Sequence, residues 1–202
     1  YRIMATRILF LLFILIVIGV DVSGQKFNAG LTLGICTSQV DGDNLDGFHK
    51  AGIHVGGFVN RNISEKFSLQ FEIAYIQKGS RLPLSKDGVF YLMRLNYIEV
   101  PLLLNYKITK KWNVEIGGTV ATLISSKEED ESGEILNAPP FHRLDYLGCA
   151  GVSYGLTDHL FFNVRFSYSI VTIRPGNQPY DYFYIPEGQY NKALTFSLAY
   201  EF

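Results

Sequence analysis

The stretch ALTFSLAYEF, residues 193–202, puts Leu194, Phe196, Leu198, Tyr200 and Phe202 on every second position, with Thr195, Ser197 and Ala199 between them. Alternation of apolar and small polar residues marks a β-strand with one apolar face, because successive side chains leave a strand on opposite sides. Terminal segments are ordinarily frayed and polar. An apolar face that runs out to an aromatic ring therefore calls for a neighbouring strand and an apolar surrounding.

The same period recurs through most of the chain. FNAGLTLGICTS sets Phe27, Ala29, Leu31, Leu33 and Ile35 against Asn28, Gly30, Thr32, Gly34 and Cys36. FSLQFEIAY sets Phe67, Leu69, Phe71, Ile73 and Tyr75 against Ser68, Gln70, Glu72 and Ala74. GIHVGGFVN, NYIEVPLLLNY, WNVEIGGTVATLI, YLGCAGVSYGL and LFFNVRFSYSI continue the pattern. With the closing run this predicts eight strands of about ten residues each and no helical period between them.

The connections alternate in length. NISEK (62–66), ITKK (108–111) and LTDH (156–159) are short, whereas the segments near 40–50, 80–91, 126–142 and 174–190 are long. ISEKFSLQF, ITKKWNVEI and LTDHLFFNV share an aliphatic residue, a Ser or Thr, two polar residues and then alternating apolar positions. Three equivalent turns, each launching a strand, describe a hairpin array closed into an antiparallel up-and-down barrel.

Such a barrel can be apolar inside, around a ligand, or apolar outside, against lipid. The polar face here is mostly Gly, Ser, Thr, Asn and Ala, small enough to fill a narrow lumen. Its charges, Glu72, Glu99, Glu115 and Arg165, fall in mid-strand and include both signs, as an internal charged cluster would. The apolar faces carry no Lys or Arg at mid-height, where either would cost about 2–4 kcal/mol in lipid. Phe67, Tyr106, Trp112, Tyr154, Tyr200 and Phe202 stand where strands meet turns, as in interface girdles. The fold class expected is all-β: an eight-stranded antiparallel transmembrane β-barrel. Every backbone polar group in lipid needs a partner, so the last strand is expected to close on the first. Its aromatic end, Tyr200 and Phe202, also resembles the signal by which bacterial assembly machinery recognises outer-membrane barrels.

Ahead of the barrel, Arg7, the apolar run Ile8 to Ile18 and small residues at Val22 and Gly24 form a secretory signal peptide over 1–24, with residues 1–3 an upstream extension before Met4. The apolar run is too short for a spanning helix. Cleavage is expected before Gln25, leaving a barrel domain over 25–202. The formal charge of −1 and the lack of a Lys/Arg stripe give no reason to expect nucleic acid. Cys36 and Cys149 are too few for a disulfide framework and are expected to be buried thiols.

LQFEIAYIQKGS (69–80) followed by NYIEVPLLLNY (96–106) resembles the PorT-like outer-membrane barrels of Bacteroidetes. That family shows a strand ending in Lys-Gly and then a Tyr-x-Glu-hydrophobic-Pro-Leu-Leu run, here Lys78 and Gly79, then Tyr97, Glu99, Val100, Pro101, Leu102 and Leu103. The resemblance implies an eight-stranded barrel in the outer membrane of a Gram-negative bacterium, and a link to type IX secretion and gliding. It carries over no functional residue set. Proline removes a ladder hydrogen bond and belongs at a strand irregularity, so Pro101 is expected to mark a kink that aims Glu99 inward.

Catalysis needs a nucleophile and a base within reach of each other. His49, His54, His142 and His159 form no such set with a serine, and no enzyme and no cofactor are expected. DGDNLDG (41–47) resembles a calcium loop but has Leu45 at its fifth position and no Glu at its twelfth, so a plain acidic loop is expected. KEEDESGE (127–134) is a solvated charge run. The fourth long loop is richer: Tyr180, Tyr182, Phe183, Tyr184 and Tyr190 exceed what a solvated loop needs and mark a candidate contact surface. The expected role is structural or interactive, with outer-membrane lipid, lipopolysaccharide, the barrel-assembly machinery, and an envelope protein or glycan as partners. The alternatives are a small-solute pore and a lipid-A-modifying enzyme. Inward Phe58, Leu123 and Phe161 would occlude an interior this narrow.

Overall fold

The computed structural model describes residues 27–43, 45, 47–83, 90–175 and 188–202. The expected signal peptide, and Tyr180, Tyr182, Phe183 and Tyr184, lie outside the described residues.

Eight long strands form the wall: β1 (Phe27–Asp41), β2 (Lys50–Asn62), β3 (Phe67–Leu82), β4 (Tyr91–Lys107), β5 (Trp112–Asp130), β7 (Leu144–Gly155), β8 (Leu160–Ser169) and β10 (Gly188–Glu201). Each pairs antiparallel with the next, and β10 pairs back onto β1. The ring is closed. Two-residue strands β6 (Gly133–Glu134) and β9 (Arg174–Pro175), not expected from sequence, are appended to β5 and β10.

Closure runs from Gly30 opposite Glu201 to Asp41 opposite Tyr190. Beyond the last pair, the Phe202 N–H donates to the Ala29 carbonyl at 2.9 Å. The apolar end is thus held by the first strand, as the closed ladder requires.

The wall is apolar outward. Leu31, Leu33, Ile35 and Ile116 are 59–66% exposed, while Thr32, Cys36 and Ser38 of the opposite face are buried. An exposed band of this kind belongs against lipid and not water.

The short turns are three copies of one hydrogen-bonded unit. Ser64, Thr109 and Thr157 each accept, on the side-chain oxygen, two backbone N–H groups two and three residues on. The same residues donate their own N–H to Phe67, Trp112 and Leu160 respectively. The repeated Ser/Thr therefore acts by mimicking a backbone acceptor inside the turn.

At the other end the strands outgrow expectation. They run from 10 to 19 residues, and β3, β4 and β5 are the longest at 16, 17 and 19. The expected uniform ten covers only the membrane crossing. Irregularities also collect here. The register shifts between Asn96 and Tyr97, which face Ser125 and Leu123 and leave Ile124 as an extra residue. That bulge turns Glu128 inward where the earlier parity would have pointed it out. Pro101 brings no register shift: Phe71 faces Leu102 and Ala74 faces Glu99, and the ladder lapses between them, at the proline. The missing proline N–H costs a bond without forcing an extra residue, because Pro101 keeps its place opposite Thr119 on β5.

Candidate functional site

The inward residues are stacked in layers, and the strand pleat decides which reach the lumen. At the short-turn end lies a vestibule of about 700 Å³. Its walls mix amides and hydroxyls such as Asn60, Asn105, Asn113 and Asn163 with charged residues, Lys107, Lys110 and Lys111 among them, and Phe58 and Phe161 also line it.

The vestibule ends on a charged brace. Arg165 on β8 forks onto Glu72 of β3 across the lumen, Nη1 to Oε2 and Nη2 to Oε1 at 2.8 Å each. Its Nε donates to Glu115 of β5 at 2.5 Å. A planar guanidinium is the side chain that can satisfy two carboxylates at once. Gln70 donates to Glu72 at 2.6 Å, and Asn105 donates to Gln70. The brace ties three strands that are not neighbours in the ring.

Glu99, expected in the same cluster, is not part of it. It is inward and buried but pairs with Lys78, whose side chain is wholly buried, and Lys78 also stands over the Tyr97 ring. Lys78 shares the inward parity of Glu72 on β3, which is the signal in the sequence for this partner. The Lys-Gly pair and the Tyr-x-Glu run thus converge on one ion pair inside the barrel. Gly79 carries φ +136°, and a Cβ there would lie 2.0 Å from the Met93 carbonyl oxygen.

Next to this pair lies a neutral-to-acidic network that sequence reasoning missed. Asn191 donates to the Tyr97 hydroxyl at 3.1 Å and to Asp145 at 2.9 Å, and Ser169 donates to the same carboxylate at 3.0 Å. The even spacing of Asp145, Leu147 and Cys149 was the available signal.

These polar groups are interleaved with a packed core, with Ile76 opposite Tyr97, Lys78 opposite Leu95 and Leu147 opposite Ser169. Val40, Ile76, Met93, Leu95, Tyr97, Leu147 and Ile173 are 0–2% exposed, and Leu123, Tyr91 and Phe141 pack against them. A clamp then crosses the mouth. Arg174 forks onto Glu128 at 3.0 and 2.6 Å and lies 3.7 Å over the Phe141 ring, while Tyr91 donates to Glu128 at 2.5 Å. No sequence signal located Arg174, which follows an irregular stretch.

Of the fourth-loop aromatics only Tyr190 is described. It sits in β10 and not in a loop, is 6% exposed, and stacks on Tyr168 with ring centroids 6.1 Å apart. The six aromatics expected at interfaces gather at one rim, the short-turn end, where Phe67 meets Tyr106 at 4.9 Å, Trp112 meets Tyr154 at 4.8 Å and Tyr200 meets Phe202 at 5.8 Å. His142 and His159 each use Nδ1 on a backbone carbonyl, of Thr172 and Glu201. His54 is buried in the lumen wall. Both cysteines are free and buried, with Cys36 donating to the Gln77 carbonyl.

The model of the outer membrane protein beta-barrel domain family matches residues 23–173, and the chain belongs to that family. Among solved structures it is similar to Ail, the attachment invasion locus protein of Yersinia pestis, in complex with the heparin analogue sucrose octasulfate. That likeness has 12% identity over 88% of this chain and 99% of that one, with a TM-score of 0.51. Neisserial surface protein A is similar at 11% identity over 86% of this chain and 97% of that one, with a TM-score of 0.54. At such identities the likeness carries the eight-stranded fold alone. No curated protein matches the sequence.

Proposed function

We propose that this outer-membrane barrel works through its surfaces and not through its lumen, as a structural or interaction protein of the envelope. The observation that carries this reading is the packed upper lumen, where seven large side chains between Val40 and Ile173 are 0–2% exposed. Eight strands enclose just enough space for side chains to fill, and these pack there with the buried Lys78–Glu99 pair, below the Arg174–Glu128 clamp. Planar-bilayer recording tests it: the refolded barrel should give no stable conductance, and large steady single-channel steps would promote the pore instead.

Several finer readings accompany this one. Export by a signal peptide cleaved before Gln25 rests on the Arg7–Gly24 pattern, and N-terminal sequencing of the mature protein checks it. Short turns face the periplasm and long loops the outside, as in bacterial outer-membrane barrels generally. The histidines, two of them turned to backbone carbonyls, support a role without catalysis. Tyr180, Tyr182, Phe183 and Tyr184 are proposed to contact an envelope protein or glycan, on composition alone. Tyr200 and Phe202 are proposed as the element read by assembly machinery. Phe202→Ala should then cut the amount reaching the outer membrane while the refolded protein stays heat-resistant. Membership of the PorT-like branch, in a Bacteroidetes host, rests on the Lys78–Gly79 and Tyr97–Leu103 residues. A link to type IX secretion rests on that branch, and a pull-down of the barrel from its native membrane tests it.

A further inference from the structure

The outward face of β3, β4 and β5 changes character within one pleat. On β4 the outward residues run Tyr106, Leu104, Leu102, Val100 and Ile98, and then Asn96 and Arg94. On β3 the run Phe67 to Tyr75 gives way to Gln77, and on β5 the run Trp112 to Ile124 gives way to Ser125 and Lys127. The register puts these changes side by side, with Gln77 opposite Asn96 and Asn96 opposite Ser125. The apolar stretch below is about nine residues long, within the ~9–11 that a tilted strand uses to cross hydrocarbon.

The polar residues above it are already organised. Gln77 donates to the Tyr75 hydroxyl, Tyr75 donates to Asn96, and Asn96 donates to Ser125 at 2.8 Å. One pleat higher, Arg94 stands opposite Lys127. Glu129 holds both, at 3.1 Å from Arg94 and 2.7 Å from Lys127, and Glu134 lies 3.4 Å from Lys127. The two basic side chains nonetheless remain 50% and 42% exposed. With exposed Arg81 and exposed Glu131 both counted, three cations meet three carboxylates, so the patch is mixed in sign, with Arg94 and Lys127 its half-exposed outward cations. On β7 and at the end of β8 the outward residues Leu144, Tyr146, Tyr168 and the following Ile170 stay apolar or aromatic, so this patch does not continue onto those strands.

We propose that this patch binds the phosphorylated head group of an outer-leaflet glycolipid, with Arg94 and Lys127 on the phosphate and Gln77, Asn96 and Ser125 on sugar hydroxyls. The proposal rests on the outer-membrane reading above. Position selects the occupant: a side chain that points out of the wall just past the end of the apolar band points into the head-group layer. Chemistry selects the class. Arginine and lysine meet phosphate oxygens with charge-assisted hydrogen bonds, and neighbouring amides and hydroxyls offer the mixed donors and acceptors that a sugar ring needs. Glu129 fixes the two cations against the wall, so little freedom is lost on binding.

The full barrel, refolded in neutral detergent, would be titrated with hexa-acylated lipid A, with the same lipid dephosphorylated, and with phosphatidylglycerol, while the unfolding midpoint is followed. Lipid A should raise the midpoint, and the other two should do so less. Arg94→Gln together with Lys127→Gln should weaken lipid A binding by roughly tenfold or more, since one charge-assisted hydrogen bond is worth about that factor. Lys110→Gln with Lys111→Gln, at the far end, should leave it unchanged. Equal binding by the Arg94/Lys127 variant overturns the site. Equal stabilisation by phosphatidylglycerol overturns the glycolipid assignment, and equal stabilisation by dephosphorylated lipid A overturns the phosphate contact. If the Arg94/Lys127 variant does not refold, Arg94→Lys alone is read: weaker lipid A binding with an unchanged midpoint in detergent supports the site, and unchanged binding overturns it. The outer-membrane reading fails separately, by absence of the unmodified protein from the outer-membrane fraction.

Discussion

The two halves of the lumen solve the same problem with different means. Towards the short turns the interior is a polar vestibule of about 700 Å³, ended by a guanidinium shared between two carboxylates. Towards the long loops it is packed with aliphatic and aromatic side chains that are 0–2% exposed, among which Lys78, Glu99, Asp145 and Asn191 are buried in pairs. Both halves tie distant strands together. In the first, direction and charge do it, because Arg165 reaches Glu72 and Glu115 from across the ring. In the second, close packing does it, together with the buried Lys78–Glu99 pair and the Arg174–Glu128 clamp. The difference teaches that barrel closure alone does not determine the interior; the pleat offers inward positions and the residue types there decide between an open vestibule and a packed core.

The largest expected effect lies in the vestibule half. Arg165→Ala leaves Glu72 and Glu115 buried side by side without a cation, and breaking a buried pair in this way costs about 3–5 kcal/mol. Urea unfolding in detergent, followed by the mobility difference between folded and unfolded forms, should show it. A loss under 1 kcal/mol would mean that vestibule water replaces the guanidinium. Next comes the packed half, where Leu95→Ala should cost about 2–5 kcal/mol through lost contacts and a cavity that collapses only partly. The same variant sharpens the comparison in bilayers, since brief small openings should appear in it and not in Asn60→Ala, which only widens the vestibule.

A smaller effect is expected at Gly79. Gly79→Ala places a Cβ against the Met93 carbonyl at a φ of +136°, where L residues rarely sit, and should cost about 1–3 kcal/mol. The smallest effects belong to the short turns. Ser64→Ala, Thr109→Ala and Thr157→Ala each remove one acceptor of two backbone N–H groups and should each cost about 0.5–1.5 kcal/mol. Their near equality is the test, since the three turns share one hydrogen-bond pattern.

Legibility differed between the two ends for a reason visible in particular residues. Around the short turns, Ser64, Thr109 and Thr157 repeat a local pattern, and the strands they launch alternate without a break. Glu72, Glu115 and Arg165 could be placed inward by counting in twos. Towards the long loops the count fails. The extra Ile124 reverses parity, so Glu128 faces the lumen although a plain count would turn it out. Tyr190 looks like loop until its pairing opposite Asp41 is known. Arg174 has no local pattern at all, yet clamps the mouth.

Sequence by itself determined the quantities that depend on neighbours along the chain: eight strands, alternating short and long connections, and an apolar face turned to lipid. These follow from the period-two geometry of one strand and the cost of charge in hydrocarbon. Tertiary structure decided who meets whom across the lumen. Glu99 was matched to Lys78 and not to Arg165, and Asp145 was joined to Asn191 from the far side of the chain. Parity tells which face a residue occupies, but its height in the barrel depends on the stagger of every strand pair between it and its partner, and that sum is set only when β10 closes on β1.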